Sequence, residues 1–285
     1  MVPPLTVIGA GRVGKTLARC LHQHNLVTIV DIVARRSENA IAAVQFIGAG
    51  KACDSFNELA HADIFMLTVP DDQITSCCAQ LAASGRLSST STVFHCSGAL
   101  PAAVMVDATR CGAAVASLHP VRSFADPAHV AEHFIGTYFG IEGDAAALKV
   151  LLPMFNALGA RTVALHPSSK TLYHAAAVFA SNYIVTVLAA ARDAYVAAGI
   201  PADIAIELMA PLTTETIQNV WRLGPEAALT GPVARGDTDT VAHHQQALFA
   251  WNPSIGSLYQ QLAEATRTVA AHRAVATGTP AGDAS

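Results

Sequence analysis

Lys170, His174, Ser181 and Asn182 interrupt a stretch, residues 170 to 191, that has no carboxylate and no arginine. On a helix turning ~100° per residue, Lys170, His174 and Ser181 fall within about 40° of one another, with Asn182 at the edge of that stripe. An ammonium can give a proton to an oxygen that gains negative charge, and an imidazole, with an unperturbed pKa of about 6.5, can give or take one. A carbonyl carbon that receives a hydride needs such a donor beside its oxygen. Lys170 and His119 rank first for that role, with His174 and Asn182 orienting substrate or lysine. A structural alternative has the histidine and asparagine satisfying each other inside a subunit interface.

A hydride needs a carrier, and a second group of residues suits a dinucleotide. Gly9-Ala10-Gly11-Arg12-Val13-Gly14 follows an apolar strand and opens a helix. In that context the first glycine permits a tight turn, the second admits a pyrophosphate, and the third lets the helix pack on its strand. The later Gly48-Ala49-Gly50 lacks a preceding strand and is set aside. Cofactor choice is read after the second strand, where Asp31 precedes Arg35, Arg36 and Ser37. Two guanidinium groups and a hydroxyl suit a 2′-phosphate and favour NADP, whereas Asp31 on the ribose would select NAD.

Sheets of this kind bind ligands beyond the carboxyl ends of their strands. Those positions carry Val69-Pro70-Asp71-Asp72, His95-Cys96-Ser97-Gly98 and Leu118-His119-Pro120. Val69, Pro70, Asp72 and Ser97 are expected beside the cofactor, and Ser97, His119, Ser181 and Arg235 beside the substrate. Arg235, in the turn Thr230 to Asp237, could clamp a carboxylate through paired hydrogen bonds; an ordinary turn with a surface arginine is the alternative. His95 and Ala99 stand where a GxSxG nucleophile elbow needs glycines, which argues against a hydrolase. His243-His244 lack ligand spacing, and no metal is expected.

The elements that must position these residues follow from the pattern. Short β-branched runs alternate with helical segments up to residue 166, the rhythm of a parallel sheet covered on both faces. Strands are expected at 7–8, 27–30, 64–69, 92–94, 113–118, 137–141 and 161–165. Helices follow at 169–198, 201–223 and 239–273, the last interrupted at Asn252-Pro253, with Ser168 or Ser169 capping the first. The expected organisation is a Rossmann-type α/β domain over 1–166, an all-α domain over 167–275 and a disordered tail over 276–285.

A chain with 52% hydrophobic and 13% charged residues must bury much of its surface, which points to an oligomer. The net charge of -4 gives no field for nucleic acid or an anionic membrane. Six cysteines without a CxxC pair fit reduced thiols in the cytoplasm, and a strand almost at the initiator methionine leaves no room for a secretion leader. The 170–191 stretch has the length of a membrane span, but its polar side chains at mid-depth argue against one.

Taken together, Gly9 to Gly14, Val69 to Asp72, His95 to Gly98, Ser117 to Pro120, Lys170-Thr171-Leu172-Tyr173-His174 with Ser181-Asn182, and Thr230 to Asp237 resemble bacterial proteins that join a Rossmann-like domain to a helical C-terminal domain of unknown function. That family is similar to the 6-phosphogluconate dehydrogenase, ketopantoate reductase, prephenate dehydrogenase and pyrroline-5-carboxylate reductase group. The resemblance implies a helical, dimerising second domain and reduction of a small oxo acid by NADPH, with 2-oxopantoate as the leading substrate. It leaves two alternatives: an imine reductase of the pyrroline-5-carboxylate type, and an NADP-binding regulatory or scaffolding protein without turnover. One departure is visible: hydroxyacid dehydrogenases of the group carry a KxxxN pattern, and here His174 stands where the asparagine would be.

Overall fold

The computed structural model describes residues 2–276, so the tail expected to be disordered lies outside the described residues from 277 onward. The first part of the chain runs β1 (Pro4–Ile8), α1 (Arg12–Gln23), β2 (Thr28–Val33), α2 (Ser37–Ile47), β3 (Lys51–Cys53), β4 (Ile64–Leu67), α3 (Ile74–Ala83) and β5 (Thr92–His95). It continues through α4 (Val106–Arg110), β6 (Ala114–Val121), α5 (Pro127–Glu132), β7 (Tyr138–Gly143), α6 (Ala145–Ala157), β8 (Arg161–Ala164) and α7 (Lys170–Ala180). The eight strands form one sheet in the order β3-β2-β1-β4-β5-β6-β7-β8, parallel throughout except between β6 and β7.

Both faces of the sheet are dry at its centre, where β4 is apolar and buried at every position rather than at every second one. Ile64 and Met66 of β4 join one core with Leu17, Leu21, Leu151 and Phe155, while Phe65 and Leu67 join the other with Ile74, Leu81 and Met105. That is the period-two division of a strand buried on both sides. β1 lies between β2 and β4, so the chain leaves it to one side and returns to the other. This reversal opens a crevice beyond the ends of β1 and β4. The strand β3 went unread in the sequence, since three residues after Gly50 are too few to display an alternation.

The contacts divide the chain into Met1–Ser181 and Asn182–Ser285, fifteen residues beyond the expected boundary at 166. The reason is Lys170, 0% exposed, which ties α7 to the sheet unit. A continuous helix over 169–198 is also corrected. The chain leaves helical geometry at Ser181 (φ −131°, ψ −71°), so α7 ends there and α8 (Asn182–Ala197) begins anew. Serine and asparagine side chains offer the backbone partners other than the helical ones, which makes this pair a natural break. Neither Ser168 nor Ser169 caps α7 through its side chain; a 3₁₀ turn at Pro167–Ser169 leads in, and His166 accepts from the Ser168 amide. Residues 167–197 meet the length and composition of a membrane span. Broken at Ser181, they give helices of 11 and 16 residues, each short of the ~20 a span requires.

The second unit contains α8, α9 (Ala202–Leu223), α10 (Pro225–Ala228), α11 (Thr238–Trp251) and α12 (Pro253–Ala276). The expected interruption at Asn252-Pro253 is present: Asn252 Oδ1 accepts from the amides of Ser254 and Ile255 at 3.1 and 3.3 Å.

Candidate functional site

Three backbones meet beyond the end of β1. Gly9 has φ +104°, and a Cβ there would stand 2.6 Å from the carbonyl carbon and oxygen of Thr68. A Cβ on Gly14 would lie 2.1 Å from Thr68 Oγ1 and 2.4 Å from the Gly9 carbonyl oxygen. Thr68, which no motif singles out, closes the turn by donating to that oxygen at 2.7 Å. Gly11 caps α1 without a side-chain partner for the first amides, and no acidic residue sits in that first turn. Free amides at the positive end of a helix fit an anion.

The turn borders a cleft of about 890 Å³ whose walls include Gly9, Arg35, Asp54, Val69, Pro70 and Asp72. Of the expected cofactor residues, Ala10 and Val13 pack against the core and Arg12 is exposed on the first turn of α1. Arg36 and Ser37 open α2 without lining the cleft, and the Ser37 hydroxyl donates to Asp54. Asp54, directly after the unread β3, had no signal in the sequence.

Asp31 is 2% exposed. It sits within β2 rather than at its end, and its oxygens accept from the Ala60 amide at 2.7 Å and the Cys53 thiol at 3.4 Å. The carboxylate that would take a ribose is committed inside the fold. The residues that do follow β2 are Ala34 and Arg35, both on the cleft wall.

Next to the cleft, the ends of β5 and β7 and the middle of β6 converge on α7. Lys170 Nζ donates to the Ser117 hydroxyl at 2.6 Å and to the Ser97 carbonyl at 3.1 Å, and pairs with Glu142 at 3.8 Å. Burial pushes its pKa down, while the Glu142 and Asp71 carboxylates oppose the shift. All three ammonium protons thus face protein acceptors. Lys170, expected to donate a proton to substrate, is instead a buried fastener between helix and sheet. Ser97 is likewise spent: its hydroxyl donates to Asp71 at 2.8 Å and accepts from the amides of Ala99 and Leu100. Its expected roles toward cofactor and substrate have no free hydroxyl behind them. His95, 0% exposed, accepts from the Ser97 amide at Nδ1 and faces the Pro101 carbonyl at Nε2, an arrangement that holds a turn.

His119 and His174 meet over Gly98 with their rings perpendicular and centroids 5.4 Å apart. A Cβ on Gly98 would stand 2.3 Å from His174 Nδ1 and 2.8 Å from His119 Nε2. The other His119 nitrogen lies 2.9 Å from the Tyr173 hydroxyl, and His174 Nδ1 is buried without a hydrogen bond. Burial first, then His174 and Lys170, lower the His119 pKa to about 4, so the ring is neutral near pH 7. Tyr173, beside both histidines, is another residue the sequence left unmarked.

Ser181 is exposed at the end of α7, outside the expected helical stripe. Asn182 opens α8 in the second unit, and Arg235 is exposed in a turn of that unit. Asp237, next to it, caps α11 by accepting from the Thr240 amide at 3.0 Å. Among the described residues, no group of three or more His, Cys, Asp or Glu side chains is placed to hold a metal.

Residues 4–120 match the Rossmann-like domain family, and residues 137–266 match a domain of unknown function, DUF2520. The chain joins a Rossmann-like domain to a DUF2520 domain. The DUF2520 stretch starts at β7, so it supplies the last two strands of the sheet and α7 as well as most of the helical unit. A proposed NADP oxidoreductase from Bacteroides fragilis is 22% identical, with a TM-score of 0.78 over 94% of this chain and 98% of that one. Protein TM1727 from Thermotoga maritima is 26% identical, with a TM-score of 0.70 and the same coverage. The pyrroline carboxylate reductase of Plasmodium falciparum, a structure with NADP bound, is 14% identical with a TM-score of 0.58 over 94% of this chain and 98% of that one. No curated protein matches the chain at significant similarity.

Proposed function

We propose that this Rossmann-like/DUF2520 protein is an NADP-dependent oxidoreductase acting on a small carbonyl compound. The observation that carries the reading is the exchange at the end of β2: Asp31 is buried and saturated, and Arg35 lines the cleft in its place. The amide end of α1 would hold the pyrophosphate, Arg35 the 2′-phosphate, and Val69 and Pro70 the nicotinamide side. When bound, NADPH supplies a hydride to an electrophilic carbon. The neutral His119 would donate a hydrogen bond from Nε2 to the substrate oxygen, and Lys170 would keep the Ser97-Gly98 turn in place. Among the oxo acids, 2-oxopantoate is the first to screen.

Fold likeness to pyrroline carboxylate reductase makes cyclic imines the second class to screen. The helical unit would dimerise: Val185, Ile206, Leu212 and Trp221 are 57% to 79% exposed, beyond the scattered apolar residues of an ordinary surface.

Fluorescence titration should show NADPH binding more tightly than NADH, and Arg35→Ala should remove the difference. Equal affinities in the parent protein would refute the choice of NADP. A folded, NADPH-binding protein silent on oxo acids and imines alike would favour the regulatory alternative.

A further inference from the structure

Ser97 uses every polar group it has, and they reach three other elements of the sheet unit. Its amide donates to His95 Nδ1 at 3.1 Å, and its hydroxyl oxygen accepts from the Ala99 and Leu100 amides at 3.2 and 3.0 Å, which folds the turn after β5. Its carbonyl oxygen accepts from Lys170 of α7 at 3.1 Å and from the Ser117 hydroxyl of β6 at 3.2 Å. With both lone pairs of the hydroxyl taken by amides, the hydroxyl proton is what remains. It goes to Asp71 Oδ2 at 2.8 Å, 26 residues earlier in the chain. Asp71 opens a 3₁₀ turn, Asp71–Gln73, directly after Pro70. Val69, Pro70, Asp72 and Gln73 line the large cleft; Asp71, in their midst, is tied to Ser97 instead. The other bonds of this wall are local: the Gln73 amide returns to the Pro70 carbonyl at 2.8 Å, and the Gln73 side-chain amide donates to Asp72 at 3.1 Å.

We propose that Asp71 is a positioning residue for the cofactor: by taking the Ser97 proton it fastens the cleft wall 69–73 to the turn after β5 and, through the Ser97 carbonyl, to Lys170 of α7. One serine, 6% exposed, then holds both the wall assigned to the nicotinamide side and the first turn of α7. A wall fastened in this way is ordered before nucleotide arrives, and binding does not have to bear the cost of ordering it. A carboxylate suits the post because it accepts and does not donate, which is what a hydroxyl already receiving two amides requires. Asparagine could take over through its carbonyl oxygen, whereas alanine would leave the Ser97 proton without its partner.

The inference rests on the cofactor reading of the cleft, and its first test needs no nucleotide. Hydrogen exchange of the unliganded protein, followed by mass spectrometry on peptides covering 69–76 and 97–101, should be roughly tenfold faster in both segments for Asp71→Ala and close to the parent for Asp71→Asn. Unchanged exchange in a folded Asp71→Ala protein overturns the tie, as does an Asp71→Asn protein that exchanges as fast as Asp71→Ala. In fluorescence titration, NADPH affinity should fall about fivefold to tenfold in Asp71→Ala and stay within about twofold of the parent in Asp71→Asn. Adding Asp71→Ala to Ser97→Ala should weaken binding no further, because the two side chains act through one bond; additive losses would overturn the proposal. Parent affinity in a loosened Asp71→Ala protein would show that the tie serves stability alone and would remove the positioning role. A parent protein that binds no NADPH would refute the cofactor reading instead, and the exchange comparison would still decide whether Asp71 holds the wall.

Discussion

The two units of this chain solve burial differently. In the sheet unit, side chains as large as Phe65, Phe94, Phe139 and Phe155 are fully buried, and even a lysine is enclosed with three acceptors. In the helical unit, the buried apolar side chains among the described residues are the small or medium Ala205, Val241 and Ala263, while Trp221 is 79% exposed. Sequence hydrophobicity is similar in kind in both. What differs is that the sheet supplies two faces for helices to cover, whereas the helices of the second unit carry exposed apolar side chains among the described residues. The comparison teaches that the first unit has an interior of its own, while the second keeps its largest apolar side chains at the surface among the described residues.

The sharpest way to break that contrast is to charge the exposed helical faces. Val185→Asp combined with Leu212→Asp should convert a dimer to monomer or aggregate, read by light scattering on a sizing column, and should leave NADPH affinity within about twofold. Each such side chain, if buried between copies, is worth roughly 2–3 kcal/mol. An unchanged mass would mean that these faces remain wet. Next in size is the buried fastener. Lys170→Ala leaves Glu142 enclosed and unpaired, which should cost about 3–5 kcal/mol in urea unfolding. Lys170→Ala with Glu142→Gln should recover part of that loss.

Acid should weaken the sheet unit selectively. His95 and His119 each have folded pKa values lowered to about 4 from 6.5, by burial above all. An unfolded chain binds these protons first as pH falls, so their contribution is intact above pH ~6.5 and lost progressively toward pH ~4, on the order of 3 kcal/mol for a fully buried ring. Denaturation midpoints at pH 7 and pH 5 should therefore diverge more in the parent than in His95→Gln. The smallest effect concerns the cleft: Asp54→Asn removes an anion from the wall that Arg35 shares and should tighten NADPH by about threefold, with NADH unaffected.

The parts of the molecule that were legible in sequence are those whose requirement is local. Gly9 and Gly14 could be read because only a missing side chain permits the approach of Thr68, and β4 could be read because both its faces are apolar. The partners of Lys170 lie 53 and 73 residues away in the chain, so no spacing rule could connect them. A lysine opening an apolar helix looks the same whether its ammonium reaches a substrate or a buried carboxylate. The stripe through Ser181 failed for a related reason: helical periodicity assumes an unbroken helix, and the serine–asparagine pair that seemed to extend the stripe is what ends it. Tyr173 was invisible because a tyrosine between apolar neighbours reads as packing until His119 is found across from its hydroxyl.

Gly98 and Gly140 carry a consequence of their own. Neither has the left-handed backbone that makes Gly48 or Gly136 hard to replace, yet Gly48 and Gly136 have open space where a side chain would go and these two do not. Their constraint is volumetric: aromatic rings occupy the room that a methyl group would claim. Homologues with alanine at either position would have to shift the imidazoles or the phenol, so the identity of these two glycines reports whether the ring arrangement above them has been inherited.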